Sequence, residues 1–246
     1  ALCRRGNTTG AAGVLVEELI RNLGKNIVVC GHFGSGKTNI AVGLSLGIAA
    51  SGLGCTLVDL DIVSACFRAA DAAPILHDAG VDCIVPRYAN TNLDLPALSG
   101  EIYSAFADGA STQGRRAVFD TGGSEGAGVL GRYLPFLTQS GYSMIYIVNM
   151  YRPLTSSPAA AAGDLWEIEA HSRLRVTHII NNSNLGQKTT LADIEASLGY
   201  AGKISGLTGA KLLCTTMYSR DICDALSRRY RDMTFCVLPD STRRLF

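Results

Sequence analysis

The stretch of sequence that decides the fold is residues 31–38, which read Gly31-His32-Phe33-Gly34-Ser35-Gly36-Lys37-Thr38. This is a complete G-x-x-x-x-G-K-[ST] phosphate-binding motif. An apolar run over Asn26–Cys30 precedes it, as expected of a buried strand, and apolar residues at helical spacing follow it over 39–48. Strand, glycine loop and helix therefore come in the order that the motif needs, which argues against a turn that only joins a strand to a helix.

The motif assigns a chemical role to most of its residues. Its glycines let backbone N–H groups surround a phosphate chain, and the start of the following helix adds partial positive charge. We expect Lys37 to reach the β- and γ-phosphates and Thr38 to ligate Mg²⁺. The residues of this segment that we expect to contact the nucleotide are Gly31, His32, Gly34, Ser35, Gly36, Lys37, Thr38 and Asn39.

Composition limits the classes of protein to which the chain can belong. Its 246 residues suit one large domain or at most two small ones, and 47% hydrophobic residues are enough for a sizeable core. A net charge of +1 with 17% charged residues creates no field that favours nucleic acid or an acidic membrane. The sequence shows no apolar run of about 18 residues and no secretory signal, so we expect a cytoplasmic protein without a membrane span.

The order of the apolar runs predicts the fold class. Strand-like runs alternate with helical stretches, so we predict an α/β fold with a mostly parallel sheet and helices on both faces. We expect an N-terminal tail and helix over 1–25 and a single nucleotide-binding domain over 26–246, because no linker or repeat divides the chain. The predicted strands are 27–30, 55–60, 83–85, 116–120, 143–149, 177–181, 211–214 and 234–238, and the predicted helices are 14–23, 37–51, 96–108, 127–138, 158–170, 190–198 and 219–229.

Two carboxylates complete the predicted site. Asp61 ends the second strand and Asp120 ends the fourth, and the carboxyl ends of parallel strands face the crevice where ligands bind. We expect Asp61 to orient the water that attacks the γ-phosphate, or to hold Mg²⁺ through water, and Asp120 to bind a Mg²⁺-bound water. Asp59 shares a strand face with Asp61, and we expect it to lie deeper and support the site. An N-cap is the alternative role for Asp61.

Two strand ends bear on the choice of nucleotide. Guanine is recognised by the carboxylate of an N-K-x-D element, which accepts hydrogen bonds from the ring N1–H and the 2-amino group. Residues 149–152 read Asn-Met-Tyr-Arg and residues 181–184 read Asn-Asn-Ser-Asn, so neither strand end supplies that carboxylate. An asparagine amide both donates and accepts, which matches adenine. We therefore favour ATP over GTP, with a turn or capping role as the alternative for these asparagines.

The phosphate loop, the Asp-x-Asp strand end at 59–61 and the Asp-x-Gly-Gly element at 120–123 together resemble those of the MinD/ParA-type P-loop ATPases. The likeness covers residues 26–240 and is nearest to an uncharacterised branch of the CobQ/CobB/MinD/ParA nucleotide-binding family. It implies ATP and Mg²⁺ as ligands, and it places the family's water-positioning carboxylate on Asp61. It also places the Mg²⁺-side carboxylate on Asp120 and an adenine-contacting amide on Asn182.

The chain departs from this family at two points. MinD and ParA have a second lysine one residue after the first glycine, which reaches across a dimer to the partner's nucleotide. That position is His32 here, and a neutral imidazole cannot supply a permanent cation. Cluster-binding relatives bridge subunits through cysteines that follow the Asp120-type motif. No cysteine lies between Cys83 and Cys214, which excludes iron–sulfur electron transfer by that route.

The sequence supports two main hypotheses about function. The favoured one is a cytoplasmic Mg-ATP switch and slow ATPase, in which ATP orders the segments after Asp61 and Asp120 and promotes a homodimer or a complex with an unidentified protein client. The alternative is an ATP-dependent metabolic enzyme of the dethiobiotin-synthetase or cobyrinate-amidase type, which activates a carboxylate. Arg68, Arg87 and Arg152 are its candidate substrate-binding residues. A nucleotide-binding subunit without turnover is a third hypothesis.

Overall fold

The computed structural model describes residues 20, 22–60, 69–84, 101–106, 114–124 and 126–240 of the chain. Within these residues, eight strands form one sheet, and every neighbouring pair is parallel. The predicted α/β fold with a parallel sheet is therefore confirmed. The strands are β1 (Asn26–Cys30), β2 (Cys55–Asp59), β3 (Val81–Ile84), β4 (Arg116–Asp120), β5 (Tyr142–Val148), β6 (His178–Asn181), β7 (Lys211–Met217) and β8 (Phe235–Val237).

The strand order in the sheet is β3-β2-β4-β1-β5-β6-β7-β8, so β1 lies between β4 and β5. Because all the strands run in the same direction, their carboxyl ends lie along one edge of the sheet. The register pairs Val29 of β1 with Asp120 of β4, and Asp120 with Asp59 of β2. The segments that follow β1, β2 and β4 therefore start side by side.

The described residues also contain seven α-helices and three 3₁₀ turns, and no helix among them has both the length and the apolar character needed to cross a membrane. Ser157, Thr190 and Ser219 cap three of the helices by accepting a hydrogen bond from a backbone N–H of the first turn. The helices are α1 (Lys37–Ala50), α2 (Ala69–Asp78), α3 (Glu101–Ser104), α4 (Leu134–Ser140), α5 (Pro158–Ser172), α6 (Leu191–Thr208) and α7 (Arg220–Arg229). The 3₁₀ turns are Gly126–Arg132, Pro153–Thr155 and Gly186–Lys188.

The two faces of the sheet carry separate hydrophobic clusters, because successive side chains of a strand point to opposite faces. Val28 of β1 belongs to the cluster that contains Leu165 of α5. Val29 belongs to the other cluster, together with Ile40 of α1. All five residues of β1 and all five of β2 are buried. Helices therefore cover both faces of the sheet, as the continuous apolar runs of these strands predict.

One helix is longer than its sequence predicts. The pattern predicts an end at 198, but α6 continues to Thr208 through Gly199, Gly202 and Gly206. A capping box between Thr190 and Asp193 secures its start, and its buried face continues past the first glycine, as at Ile204. Packing of this face against the protein outweighs the low helix propensity of the glycines.

Two other helical regions also differ from the prediction. The pattern does not predict α2, because Pro74 lies inside that helix and interrupts the helical signature. The predicted helix over 127–138 is a 3₁₀ turn over Gly126–Arg132 followed by α4. The predicted helix over 14–23 lies largely outside the described residues, and the one over 96–108 is described at 101–106 alone.

The central strand β5 offers a test of the core. Ile145→Ala should lower the free energy of unfolding by about 2–5 kcal/mol, because it removes a fully buried side chain. Leu207→Ala is the control, since Leu207 is 53% exposed, and it should change stability by at most about 0.5 kcal/mol. Urea denaturation followed by circular dichroism would measure both. Equal losses in the two variants would contradict the position of β5 in the core.

Candidate phosphate-binding site

The backbone of residues 31–38 has a positive φ at three glycines, Gly31, Gly34 and Gly36. Gly31 has a φ of 144° and Gly36 a φ of 90°, in the region that other residues rarely adopt. A Cβ on Gly31 would lie 2.5 Å from the carbonyl oxygen of Ile147, and one on Gly36 would lie 2.3 Å from Nδ2 of Asn182. These glycines therefore let the loop pack directly against the carboxyl ends of β5 and β6.

The loop leads into the N-terminus of α1, where Gly36 is the N-cap and none of the described side chains caps the helix. The N–H groups of its first turn thus lack the side-chain acceptor that α5, α6 and α7 have. The hydroxyl oxygen of Ser35 is also buried and has no hydrogen-bond partner among the described residues. An uncapped helix end and an unpaired buried hydroxyl both fit a bound phosphate group.

Lys37 carries the positive charge of the loop. Its side chain is 7% exposed, and Nζ donates a hydrogen bond to the carbonyl oxygen of His32 at 3.2 Å. The ammonium group therefore lies across the loop, between the start of α1 and the first residues of the motif. A charged phosphate oxygen is a stronger acceptor than a carbonyl oxygen, so this position suits Lys37 for binding phosphate.

Two buried carboxylates lie at the ends of strands close to the loop. Asp59 ends β2 and Asp120 ends β4, and they are direct partners in the sheet register. Side chains of register partners in a parallel pair point to the same face, so the two carboxylates are neighbours. The next residue, Thr121, is fixed to β1, because its N–H and its hydroxyl both donate to the carbonyl oxygen of Val29 at 3.1 and 3.0 Å.

The oxygen donors of the site suit magnesium. Among the described residues, no group of three His, Cys, Asp or Glu side chains could hold a metal ion. Mg²⁺ differs from metals that need such a cage, because one or two carboxylates, substrate phosphates and water usually complete its coordination. Thr38 and Asp120 provide a hydroxyl and a carboxylate of this kind. Asp61, the third predicted metal residue, lies outside the described residues.

Two side chains from distant parts of the chain hold the loop through its carbonyl groups. Asn182 directly follows β6, and its Nδ2 donates to the Ser35 carbonyl oxygen at 2.8 Å. Arg152 follows β5, and its Nε donates to the Gly34 carbonyl oxygen at 2.7 Å. Sequence reasoning misses this role of Arg152, because Gly34 lies 118 residues away. The position of Arg152 just after a strand is the only signal that the sequence offers.

His32 has a partner within its own chain. Its Nδ1 lies 3.2 Å from Oδ1 of Asp164 on α5, and the other carboxylate oxygen accepts a hydrogen bond from the Tyr146 hydroxyl at 2.6 Å. Burial, followed by the charge of Asp164, raises the pKa of Tyr146 far above its usual value, so the hydroxyl stays protonated and donates. The Asp164 carboxylate therefore contacts both His32 of the loop and Tyr146 of β5. The predicted contact of His32 with a nucleotide stays a prediction.

The two asparagines of the predicted site are both buried. Asn39 Nδ2 donates to the Tyr218 hydroxyl at 2.8 Å, which joins α1 to the segment after β7. The side-chain oxygen of Asn182 accepts a hydrogen bond from the Thr216 hydroxyl at 2.8 Å. These contacts place both residues beside the phosphate loop, and the predicted adenine contact of Asn182 stays a prediction.

The chain is similar to known proteins in structure and not in sequence. No protein-family model matches it, and no curated protein matches it significantly. The signal recognition particle receptor FtsY from Elizabethkingia anophelis matches with a TM-score of 0.52 and 16% identity, over 96% of this chain and 70% of that chain. A nucleotide-binding protein from Archaeoglobus fulgidus, solved in complex with ADP, matches with a TM-score of 0.51 and 14% identity, over 86% of this chain and 89% of that chain.

These matches show the fold of the chain, which it shares with both proteins. At such low identity, they identify neither the family nor the nucleotide. The narrower assignment to the MinD/ParA family therefore stays a prediction.

The buried ammonium group of Lys37 provides the direct test of the site. Lys37→Ala should weaken ADP binding by at least about 30-fold, because losing one partner of a buried charge pair costs about 2–5 kcal/mol. Lys203→Ala, on the exposed surface of α6, is the control and should bind like the wild type. Isothermal titration calorimetry would measure both. Near wild-type affinity in Lys37→Ala would rule out this loop as the phosphate site.

Proposed function

We propose that the chain is a Mg²⁺-dependent ATP-binding protein and slow ATPase that acts as a nucleotide-dependent switch for a protein client. The observation that carries the proposal is the phosphate loop, in which Lys37 lies buried beside an uncapped helix N-terminus. A lysine, backbone N–H groups and a nearby carboxylate such as Asp120 are the parts with which P-loop NTPases hold and transfer a phosphoryl group. The archaeal protein solved with ADP shares this fold, which supports a nucleotide as the ligand.

Each residue of the site has a distinct task in this proposal. Lys37 and the loop N–H groups hold the β- and γ-phosphates, while Thr38 and Asp120 hold Mg²⁺ directly or through water. Mg²⁺, when bound, neutralises negative charge on the phosphate oxygens. Asp61 orients the attacking water toward the γ-phosphorus. Asp59 lies beside Asp120 in the sheet register and adds negative charge on the metal side.

The ends of β5 and β6 support ATP as the nucleotide. Neither 149–152 nor 181–184 contains the carboxylate that guanine recognition needs. The amide of Asn149 serves the local backbone, since it accepts from Tyr151 N at 3.0 Å and donates to the Asn184 carbonyl oxygen at 3.3 Å. The absence of this carboxylate from both segments therefore favours adenine over guanine as the base.

Two large apolar side chains at the rim of the loop support a protein partner. Phe33 is 65% exposed and Leu154 is 70% exposed. The hydrogen bond from Arg152 to Gly34 joins the two segments that carry these side chains. Exposed apolar groups that lie together commonly mark an interaction site. A client, or a second copy in a homodimer, would cover this rim and contact the loop that binds nucleotide.

The segment after Asp120 is the proposed moving part. Thr121 is fully buried and bound twice to the carbonyl oxygen of Val29. Movement in response to nucleotide therefore begins after it, at Gly122 and Gly123, where a Cβ on Gly123 would meet no atom of the described residues within 4 Å, apart from its chain neighbours. The conformational freedom of glycine lets this segment change conformation when a γ-phosphate binds or leaves.

Turnover without any added substrate tests the proposed function. The wild type should hydrolyse ATP slowly, and Asp61→Ala should keep Mg-ATP binding but lose hydrolysis, because orienting water affects the transition state alone. Steady-state phosphate release and calorimetry would measure turnover and binding, with Lys37→Ala as the variant that lacks both. Equal loss of binding in Asp61→Ala would make this residue a structural residue or a primary Mg²⁺ ligand. Hydrolysis that requires a small carboxylic acid would favour the metabolic enzyme, and binding without hydrolysis would favour a subunit without turnover.

Base preference is a separate prediction. ADP should bind at least about tenfold more tightly than GDP, because a site without the guanine-binding carboxylate leaves polar groups of that base unpaired. Calorimetric titrations of both nucleotides at the same Mg²⁺ concentration would measure the ratio. Tighter binding of GDP would overturn the choice of ATP and leave the phosphate site intact.

A further inference from the structure

Asn182 and Thr216 form a buried polar pair beneath the phosphate loop. Asn182 is 3% exposed and Thr216 is 2% exposed. Asn182 directly follows β6, and Thr216 is the next-to-last residue of the neighbouring strand β7. The Thr216 hydroxyl donates to Oδ1 of Asn182 at 2.8 Å, and Nδ2 of Asn182 donates to the Ser35 carbonyl oxygen at 2.8 Å. A chain of two hydrogen bonds therefore runs from β7 through β6 to the loop.

The chemistry of the partners determines the orientation of the Asn182 amide. The Ser35 carbonyl oxygen can only accept, so the amide nitrogen must face it. The amide oxygen then faces Thr216, whose hydroxyl supplies the proton. Removal of the Thr216 hydroxyl would remove the shorter of the two hydrogen bonds to this buried oxygen and leave it with Asn184 Nδ2 at 3.3 Å, so the amide would be held less firmly.

The contact with Ser35 acts on the next residue of the loop. In a trans peptide unit, the C=O and N–H groups are coplanar and point in opposite directions. Because Asn182 holds the Ser35 C=O, the N–H of Gly36 must point away from Asn182. Gly36 is the N-cap of α1, where an N–H directed into the loop would bind phosphate. The absence of a Cβ on Gly36 makes this possible, since one would lie 2.3 Å from Nδ2 of Asn182.

We propose that Asn182, held by Thr216, is a positioning residue that directs the Gly36 N–H toward the phosphates of the nucleotide. The inference rests on the proposed nucleotide-binding function. It assigns to Asn182 a role that is independent of the base, because the amide is directed at the loop backbone. Any ligand that places a diphosphate in the loop depends on this pair, whichever base it carries.

Pyrophosphate separates a phosphate-positioning role from a base-reading role, because it has no base. Thr216→Val should weaken the binding of ADP, GDP and pyrophosphate by a common factor of about 3- to 10-fold, since one buried hydrogen bond is lost. Asn182→Ala should weaken all three by at least as much. Calorimetry would measure ADP and GDP, and competition against ADP would measure pyrophosphate.

Thr215→Val is the matched control. It makes the same change one residue earlier on β7, at a site that is also buried and faces the other side of the sheet. It should leave the affinity for all three ligands within about twofold of the wild type, because the Thr215 hydroxyl, on the other face of the sheet, accepts from Asn181 Nδ2 at 3.3 Å. Thermal melts of the variants would confirm that they are folded.

The alternative outcomes distinguish the inference from the function on which it rests. If Asn182→Ala weakens ADP binding and leaves pyrophosphate binding unchanged, Asn182 reads the base and the inference is wrong. If both variants bind all three ligands like the wild type, the pair has no role in positioning and the inference is also wrong. If the wild type itself binds neither ADP nor pyrophosphate, the proposed function fails first and the inference fails with it.

Discussion

The carbonyl oxygens of Gly34 and Ser35 are held by side chains that follow other strands, Arg152 after β5 and Asn182 after β6. The candidate site depends on this constraint, because a loop binds phosphate only when its N–H groups converge. A glycine-rich segment resists such order, since glycine loses more backbone entropy on folding than any other residue. Side chains from the neighbouring strands supply the order that the loop itself lacks.

The charges of the site are arranged on two sides of the loop. Lys37 lies across the loop, and the carboxylates of Asp59 and Asp120 lie at the ends of the neighbouring strands. On the other side, the contact of His32 with Asp164 ties the first turn of the loop to α5. A displacement of this turn would therefore act on α5 as well, because the Asp164 carboxylate contacts the loop directly.

The parallel sheet brings these groups together. β1 carries the loop at its carboxyl end and lies between β4 and β5, so segments that are far apart in the chain begin at the same edge. Helices on both faces bury the strands, and this burial keeps water away from Lys37 and Asp120. Charge interactions are stronger in such a site than at an exposed surface. The same geometry explains why polar side chains cluster at this edge of an otherwise apolar sheet.

The sequence by itself determined the features whose physics is local. The phosphate motif, the alternation of strands and helices, and the position of Asp120 at a strand end all follow from spacing along the chain. Predictions of helices from local patterns were wrong where packing outweighs helix propensity. Examples are α2, which contains Pro74, and α6, which continues through its glycines. Only the tertiary structure decided the contacts of His32, Arg152 and Asn182, whose partners lie 132, 118 and 147 residues away. No local pattern records them, because the order of strands in the sheet determines which strand ends become neighbours.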